Sequence, residues 1–187
     1  MNQDEVRDYI QDGAEVRRSI DFKLVYETGM QIAKRIKNGG KLVLFGNGGS
    51  AADSQHIAAE LVGHFEMERK PLPAMALTVN TSSLTAIAND YDYNEIFSRQ
   101  VLAFCDSKDC VIGISTSGHS KNVVMGLRAA TQIGCLTISF TGKNGNEVAG
   151  ESDICIRINS TRTSIIQESH IAVGHIFSKI IEDYIFH

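Results

Sequence analysis

His56 and Glu60 are the two residues of this sequence whose types and spacing most directly suggest chemistry. A separation of four residues places both side chains on one face of a helix, one turn apart. An imidazole beside a carboxylate can transfer protons or bind a metal ion such as zinc. Two solvated side chains on an ordinary helix would show the same spacing. The elements around the pair are therefore needed to distinguish a functional site from an ordinary helix surface.

The stretch that would hold the pair extends from Lys41 to His64 and reads KLVLFGNGGSAADSQHIAAELVGH. Lys41 to Phe45 is a short apolar run ended by glycine, which predicts a buried parallel strand. The glycines that follow allow a tight turn and let a ligand approach the backbone closely. A helix should come next, with Ser50 as its N-cap and free N–H groups that favour an anion such as phosphate.

Two other interpretations of the glycine turn stay open at this point. Gly46, Gly48 and Ala51 fit the dinucleotide pattern G-x-G-x-x-A. That kind of site also needs an acidic residue closing the next strand, where this chain has Asn80. A turn that binds no ligand is also compatible with the residues. The P-loop pattern G-x-x-x-x-G-K-[ST] is absent.

A second loop with possible phosphate chemistry follows the apolar run CVIGIS, which predicts a strand over 110–115. The loop combines a glycine with four hydroxyl side chains, those of Ser115, Thr116, Ser117 and Ser120. Hydroxyls beside a helix N-terminus can bind a phosphoryl group without arginine. The alternative is a hydroxyl-rich turn that only caps its helix.

Apolar strands and amphipathic helices alternate along the chain, which predicts an α/β fold. We expect a three-layer αβα sandwich with a five-stranded parallel sheet, similar to flavodoxin. The strands are predicted over 41–45, 74–79, 110–115, 136–140 and 154–158. Helices are predicted over 82–89, 95–104, 122–133 and about 164–186, and Asp21 is a possible cap of an N-terminal helix. One domain should span 1–187, with N-terminal helices (1–40) in subunit contacts and an α/β core (41–187). Because ligands of such sheets lie beyond the carboxyl ends of the strands, the glycine and serine loops should meet.

Composition excludes several other classes of protein. The net charge is −4 and no block of lysine and arginine is present, which argues against a nucleic-acid partner. No apolar run reaches the roughly 18 residues of a membrane helix, so no membrane partner is expected. Four cysteines without C-x-x-C spacing indicate reduced thiols and a cytoplasmic location.

Four motifs together resemble a known family. They are GNGGSAADSQHIAAEL at 46–61, AIANDY at 86–91, ISTSGHS at 114–120 and IQESHIAVGH at 166–175. In order and spacing they are similar to the bacterial phosphoheptose isomerases of the sugar isomerase (SIS) fold family. The similarity covers nearly the whole chain. It implies conversion of sedoheptulose 7-phosphate to D-glycero-D-manno-heptose 7-phosphate, the first step towards the heptose of lipopolysaccharide or a related surface glycan. It also implies a homotetramer with active sites at subunit interfaces.

The resemblance also assigns roles to individual residues. Glu60 is the expected base and His175 the expected acid of an enediol mechanism. One zinc ion per subunit would be bound by His56, Glu60, Gln167 and His175. Contacts to the phosphorylated sugar are expected from Asn47, Gly48, Gly49, Glu60, Asn89, Asp90, Ser115, Thr116, Ser117, Ser120 and Gln167.

One departure affects the substrate, and one alternative concerns the class of function. Many relatives have an acidic residue and an arginine where this chain has Ser164 and Ile165, so the exact sugar phosphate is open. A related tetramer binds the bacterial replication initiator without catalysis and lacks the catalytic glutamate and final histidine. This chain has both Glu60 and His175, which favours the enzyme.

Overall fold

A computed structural model describes all 187 residues and confirms a parallel five-stranded sheet with helices on both faces. The strands are β1 (Leu42–Gly46), β2 (Ala74–Ala76), β3 (Cys110–Ser115), β4 (Leu136–Thr141) and β5 (Ile154–Arg157). The helices are α1 (Gln3–Arg18), α2 (Phe22–Lys37), α3 (Gly49–Val62), α4 (Thr81–Asp90), α5 (Ser98–Phe104), α6 (Lys121–Ile133), α7 (Asn146–Gly150) and α8 (Thr163–Phe186).

The strand order is β2-β1-β3-β4-β5, and every neighbouring pair is parallel. The order reverses direction between β1 and β3, whose register runs from Leu42 opposite Cys110 to Gly46 opposite Ile114. A reversal of this kind opens a crevice at the carboxyl ends of the two strands, where α/β sheets bind ligands. The glycine turn and the serine loop leave β1 and β3 at this point.

Two apolar cores lie on opposite faces of the sheet because successive strand side chains alternate. Leu42 and Leu44 of β1 belong to the core that packs against α2, α3 and α8. Val43 and Phe45 belong to the other core, which packs against α5 and α6. Helices α3 and α8 therefore lie on one face and α6 on the other, with the crevice between them.

The N-terminal helices precede the sheet, as predicted. Asp21 caps α2 by accepting from the Leu24 N–H at 2.9 Å, also as predicted. Helix α1 is attached to α8 largely by polar contacts, including a 2.7 Å hydrogen bond from the Tyr9 hydroxyl to Glu168. Its only buried residue is Gly13.

Several predicted boundaries are wrong. Gly48, not Ser50, is the N-cap of α3, because the cap has φ 57° and ψ −121°, a conformation that glycine adopts without strain. Ser50 is instead 3% exposed inside the helix. Strand β2 ends at Ala76 instead of residue 79, because it pairs with β1 over three residues only. The helix predicted over 95–104 begins only at Ser98, after a short 3₁₀ turn over Tyr93–Glu95, and α7 was not predicted.

Candidate active site

The side chains of His56, Glu60 and His175 converge at the surface. His56 Nε2 lies 2.9 Å from Glu60 Oε1 and 3.4 Å from His175 Nε2. Their potential ligand atoms all lie within 4.8 Å of one another, which makes a cluster able to hold a metal ion. His56 and Glu60 were expected together from their spacing. His175 joins them from a helix more than a hundred residues further along the chain.

Close packing between α3 and α8 explains how His175 reaches the pair. A Cβ at Gly174 would lie 2.5 Å from Ile57 Cδ1, so only glycine lets the two helices approach this closely. Nearer the start of both helices, the Gln167 amide lies directly against Gly49. The helices thus run side by side in the same direction, and His175 comes to lie over His56.

Phe65 provides a further contact with His175. The two rings are stacked, with centroids 5.5 Å apart and an angle of 22° between their planes. Phe65 belongs to the loop after α3, so the orientation of the His175 ring depends on how that loop is held.

A buried ion pair between Arg69 and Glu182 holds this loop. Their side chains are 1% and 0% exposed, and Arg69 Nε lies 2.7 Å from Glu182 Oε1. The Glu182 carboxylate also accepts hydrogen bonds from the Phe65 and Glu66 N–H groups at 2.8 and 3.0 Å. Arg69 donates to four backbone carbonyls, including that of Glu60 at 2.8 Å. The pair therefore holds the backbone of Glu60 directly and the ring of His175 through Phe65.

A reciprocal amide pair joins the glycine turn to the first turn of α6. Asn47 donates to Asn122 Oδ1 at 2.8 Å, and Asn122 donates back to Asn47 Oδ1 at 2.9 Å. The Tyr93 hydroxyl donates to the same Asn47 oxygen at 3.1 Å. Asn47 is thus fixed at the crevice between β1 and β3, and a ligand there would meet an oriented amide.

The serine loop forms a compact turn around hydroxyl groups. Ser115 Oγ lies 2.9 Å from Ser120 Oγ and accepts from the Gly118 N–H at 3.1 Å. Ser120 is the N-cap residue of α6, but its side chain makes no capping hydrogen bond. A polar cavity of about 240 Å³ adjoins this loop, and its lining includes Thr116, Ser117 and Lys143. The arrangement suits a phosphoryl group, since the hydroxyl groups lie beside the N-terminus of α6, where free N–H groups can also donate.

The other predicted contacts are spread around this edge. Asn89 and Asp90 are exposed at the end of α4 and bond to each other at 2.8 Å. Gly48 and Gly49 are exposed in the turn. Ile165 is 1% exposed, so it is a core residue of α8. The roles of these residues, and that of Gln167 as a ligand, stay predictions.

Sequence reasoning missed five residues that shape the site: Phe65, Arg69, Tyr93, Asn122 and Glu182. Asn122 opens a predicted helix directly after the serine loop, which was an available signal for a site residue. The other four carry no local pattern, since each acts through a partner distant in sequence.

Asp53 lies one helical turn before His56. Burial raises the pKa of its carboxyl to about 6, and the nearby His56 opposes that shift. Its Oδ2 atom is buried and has no hydrogen-bond partner. The structure therefore favours a protonated Asp53 in mildly acidic solution.

His170 is fully buried against Phe140, and its Nε2 lies 3.2 Å from the Thr141 carbonyl oxygen. His170 is therefore a packed residue of α8. Burial lowers its pKa from 6.5 to about 4, although the bond to Thr141 partly opposes this. The folded protein therefore keeps a neutral imidazole where the unfolded chain would bind a proton.

This difference predicts an acid-sensitive stability. Between about pH 6.5 and 4 the unfolded state binds more protons, so the free energy of unfolding should fall as the pH falls. A shift of this size corresponds to about 3 kcal/mol. The free energy of unfolding measured with urea should be lower at about pH 4.5 than at neutral pH by most of this amount. A His170→Gln variant should not show this difference. The variant His64→Gln, at an exposed position, should keep the wild-type pH dependence of the free energy of unfolding. The same pH dependence in His170→Gln would contradict the conclusion that His170 causes it.

Comparison with known proteins agrees with this geometry. A family model described as the SIS domain matches residues 10–142. A Thermoplasma volcanium protein named "Probable phosphoheptose isomerase" is 54% identical over 180 residues, which cover 96% of this chain and 92% of the relative. The phosphoheptose isomerase of Aquifex aeolicus is 53% identical over 154 residues, 82% of this chain and 81% of the relative.

A solved structure gives the same result. Phosphoheptose isomerase GmhA from Neisseria gonorrhoeae superposes with a TM-score of 0.90 at 35% identity, covering 97% of this chain and 98% of that one. The fold and the site define a sugar-phosphate isomerase of the SIS class. The chain belongs to the SIS domain family and, within it, to the phosphoheptose isomerases.

The chain is accordingly an isomerase. The alternative of a non-catalytic tetramer that binds a replication initiator finds no support in these comparisons. None of the helices combines the length and apolar character needed to cross a membrane.

Proposed function

We propose that this protein converts sedoheptulose 7-phosphate to D-glycero-D-manno-heptose 7-phosphate. The observation that supports the proposal is the convergence of Glu60 on α3 and His175 on α8, within 4.8 Å of each other. The sheet beside these helices also presents two loops that suit an anion at its carboxyl edge. The relatives' names add the sugar class, since they are phosphoheptose isomerases. A cytoplasmic location and a role in a surface glycan stay predictions.

The reaction moves a carbonyl group by one carbon through an enediol. Glu60 would remove the proton from the carbon next to the ketone and return it to the former carbonyl carbon. His175 would donate a proton to the carbonyl oxygen and accept one from the neighbouring hydroxyl, so that protons balance. Stacking on Phe65 holds the imidazole in orientation, and the amide of Asn47 would position sugar hydroxyls.

The donor set of the cluster fits zinc. Two imidazole nitrogens and one carboxylate oxygen are ordinary zinc ligands, and a zinc ion with four protein ligands can still expand its coordination to five. His56, Glu60 and His175 would hold the ion, with Gln167 as the proposed fourth ligand. When bound, zinc would polarise the substrate carbonyl. A carboxylate that binds the ion is less basic, so the ligand and base roles of Glu60 compete.

Removing a cluster imidazole should therefore remove the metal. His56→Ala and His175→Ala are each expected to weaken zinc binding at least about tenfold, a loss similar to that caused by removing one supporting group of a metal site. Elemental analysis after dialysis against buffered zinc would measure it. His187→Ala, at the chain end, is the control and should bind zinc as the wild type does. Unchanged zinc content in both variants would contradict the assignment.

The phosphate of the substrate should bind the serine loop. Ser120→Ala removes a hydroxyl that does not cap its own helix, so folding should be little affected. Hydrogen bonds to a charged group contribute about 1.5–3 kcal/mol, so KM should rise about tenfold or more. Ser19→Ala, in a surface turn remote from the loop, should leave KM unchanged. Equal KM values for the two variants would place the phosphate elsewhere.

We also propose a homotetramer with active sites at subunit interfaces. An apolar groove of about 430 Å³ lies between α2 and α8, and its lining includes Phe22, Tyr26 and Ile176. These three side chains are 85%, 57% and 45% exposed, and Ile176 directly follows His175. Light scattering on wild type and Phe22→Glu tests this: the wild type should be tetrameric and the variant smaller. A monomeric wild type would contradict the proposal.

The function itself is tested by turnover. Purified protein supplied with zinc and sedoheptulose 7-phosphate should produce the aldose, seen by the appearance of its anomeric proton signals in NMR. Fructose 6-phosphate serves as a shorter ketose phosphate for comparison. Turnover of the six-carbon sugar alone would overturn the heptose assignment and keep the isomerase class.

A further inference from the structure

Two cysteines that the proposed reaction does not use lie near each other at the amino-terminal edge of the sheet. Cys105 ends α5, and Cys135 directly precedes β4. Cys135 Sγ donates to the Asp106 carbonyl oxygen at 3.2 Å, which places it beside the residue that follows Cys105. Both side chains pack in the same apolar core on the α5 and α6 face of the sheet.

The segment between Cys105 and β3 is held rigidly against the start of β4. Asp109 is 1% exposed, and its carboxylate accepts from the Lys41 and Asp106 N–H groups at 2.9 and 2.8 Å. The Leu136 N–H donates to the Asp109 carbonyl at 3.0 Å. The backbone beside both cysteines is therefore anchored, and it holds Cys135 Sγ against the segment that follows Cys105.

The thiols also influence each other's protonation. A hydrogen bond from Cys105 lowers the pKa of the Cys135 thiol, while burial opposes that change. The same bond and burial raise the pKa of the Cys105 thiol. Cys135 is thus the thiol that ionises more readily, while Cys105 is the more exposed of the two.

We propose that Cys105 and Cys135 are a reversible oxidation site that closes to a disulfide when the protein meets a peroxide. The Cys135 thiolate attacks one oxygen of hydrogen peroxide, forming a sulfenic acid and releasing hydroxide. Cys105 then attacks that sulfur and expels its hydroxyl group as water. In sum, two thiols and one peroxide give one disulfide and two waters, and a dithiol reductant reverses the change.

The bond would close a loop of about 30 residues that contains β3, the serine loop and α6. Closing such a loop restricts the unfolded chain and should raise Tm by about 5–10 °C. Isomerase activity should change less than about twofold, because the bond forms on the α5 and α6 face of the sheet, whereas His56, Glu60 and His175 belong to α3 and α8 on the opposite face. The oxidation is therefore expected to stabilise the protein without switching it off.

The test treats the full-length protein with a small excess of hydrogen peroxide. Thiol counting should then show the loss of two of the four cysteines, and peptide mapping should join Cys105 to Cys135 within one chain. Both changes and the rise in Tm should disappear after dithiothreitol treatment. Cys105→Ser and Cys135→Ser should abolish the thiol loss and the rise in Tm, and Cys155→Ser should keep both.

Three results would overturn the proposal: a bond between Cys110 and Cys135, a bond between two chains, or oxidation to sulfinic acid with no disulfide. None of these readouts depends on the sugar reaction. Failure of the heptose assignment would therefore leave this test intact.

Discussion

Replacing Glu60 by glutamine is expected to lower kcat by about 10²- to 10⁴-fold, the usual contribution of a general base. Glutamine has nearly the same shape but cannot accept the substrate proton. The backbone carbonyl of Glu60, which accepts from Arg69, is unchanged, so the fold should survive. The rate of aldose formation measured by NMR, with zinc content and Tm determined on the same sample, checks the prediction.

Two further measurements separate the base role from the metal role. In heavy water the wild type should exchange the substrate proton next to the carbonyl for deuterium, and Glu60→Gln should not. A variant that keeps zinc but loses deuterium exchange identifies Glu60 as the base. Loss of both zinc and exchange indicates that Glu60 binds the metal. Glu147→Gln, an exposed glutamate on α7, should behave as wild type. A wild-type rate in Glu60→Gln would remove Glu60 from the mechanism.

Replacing Arg69 by methionine should have the largest effect on stability. It leaves the fully buried Glu182 carboxylate without its cation, and breaking a buried pair in this way costs about 3–5 kcal/mol. For a protein of this size, Tm should fall by about 10 °C. Burial alone would raise the pKa of Glu182, but hydrogen bonds from Glu66, Phe65 and Arg69 lower it. Loss of Arg69 therefore leaves an ionised group poorly compensated.

The exposed pair of Arg128 and Glu151 is the matched control. Its nitrogen and oxygen lie 2.6 Å apart, but the Arg128 side chain is 56% exposed. Arg128→Met should therefore cost less than about 1 kcal/mol. A double variant, Arg69→Met with Glu182→Leu, should be more stable than Arg69→Met alone, because the unpaired charge is removed. Equal losses in Arg69→Met and Arg128→Met would show that the buried network contributes little.

Arg69→Met should also reduce catalysis. The network holds the backbone of Glu60 and, through the Phe65 N–H, the ring that stacks on His175. A loosened loop would leave both groups poorly oriented, so kcat should fall in the folded fraction of the variant. Measuring the rate well below the lowered Tm separates this effect from unfolding.

Local patterns in the sequence were sufficient for most of the elements. A strand over 110–115 follows from an apolar run and a helix ending at 133 from apolar periodicity, and the structure confirms both. The spacing of His56 and Glu60 fixed their proximity because a helix repeats every few residues. Predicted boundaries of elements were wrong where backbone geometry sets the end of the element. The start of α3 before Ser50, for example, depends on the positive φ of Gly48.

The sequence by itself determined the α/β pattern, the two loops that suit an anion, and the motifs that mark the family. Only the tertiary structure decided which distant residues meet. His175 reaches His56 because Gly174 lets α8 pack closely on α3, and Arg69 finds Glu182 across 113 residues of chain. Contacts of this kind depend on the packing of whole helices, so no local preference of the residues involved reveals them in advance.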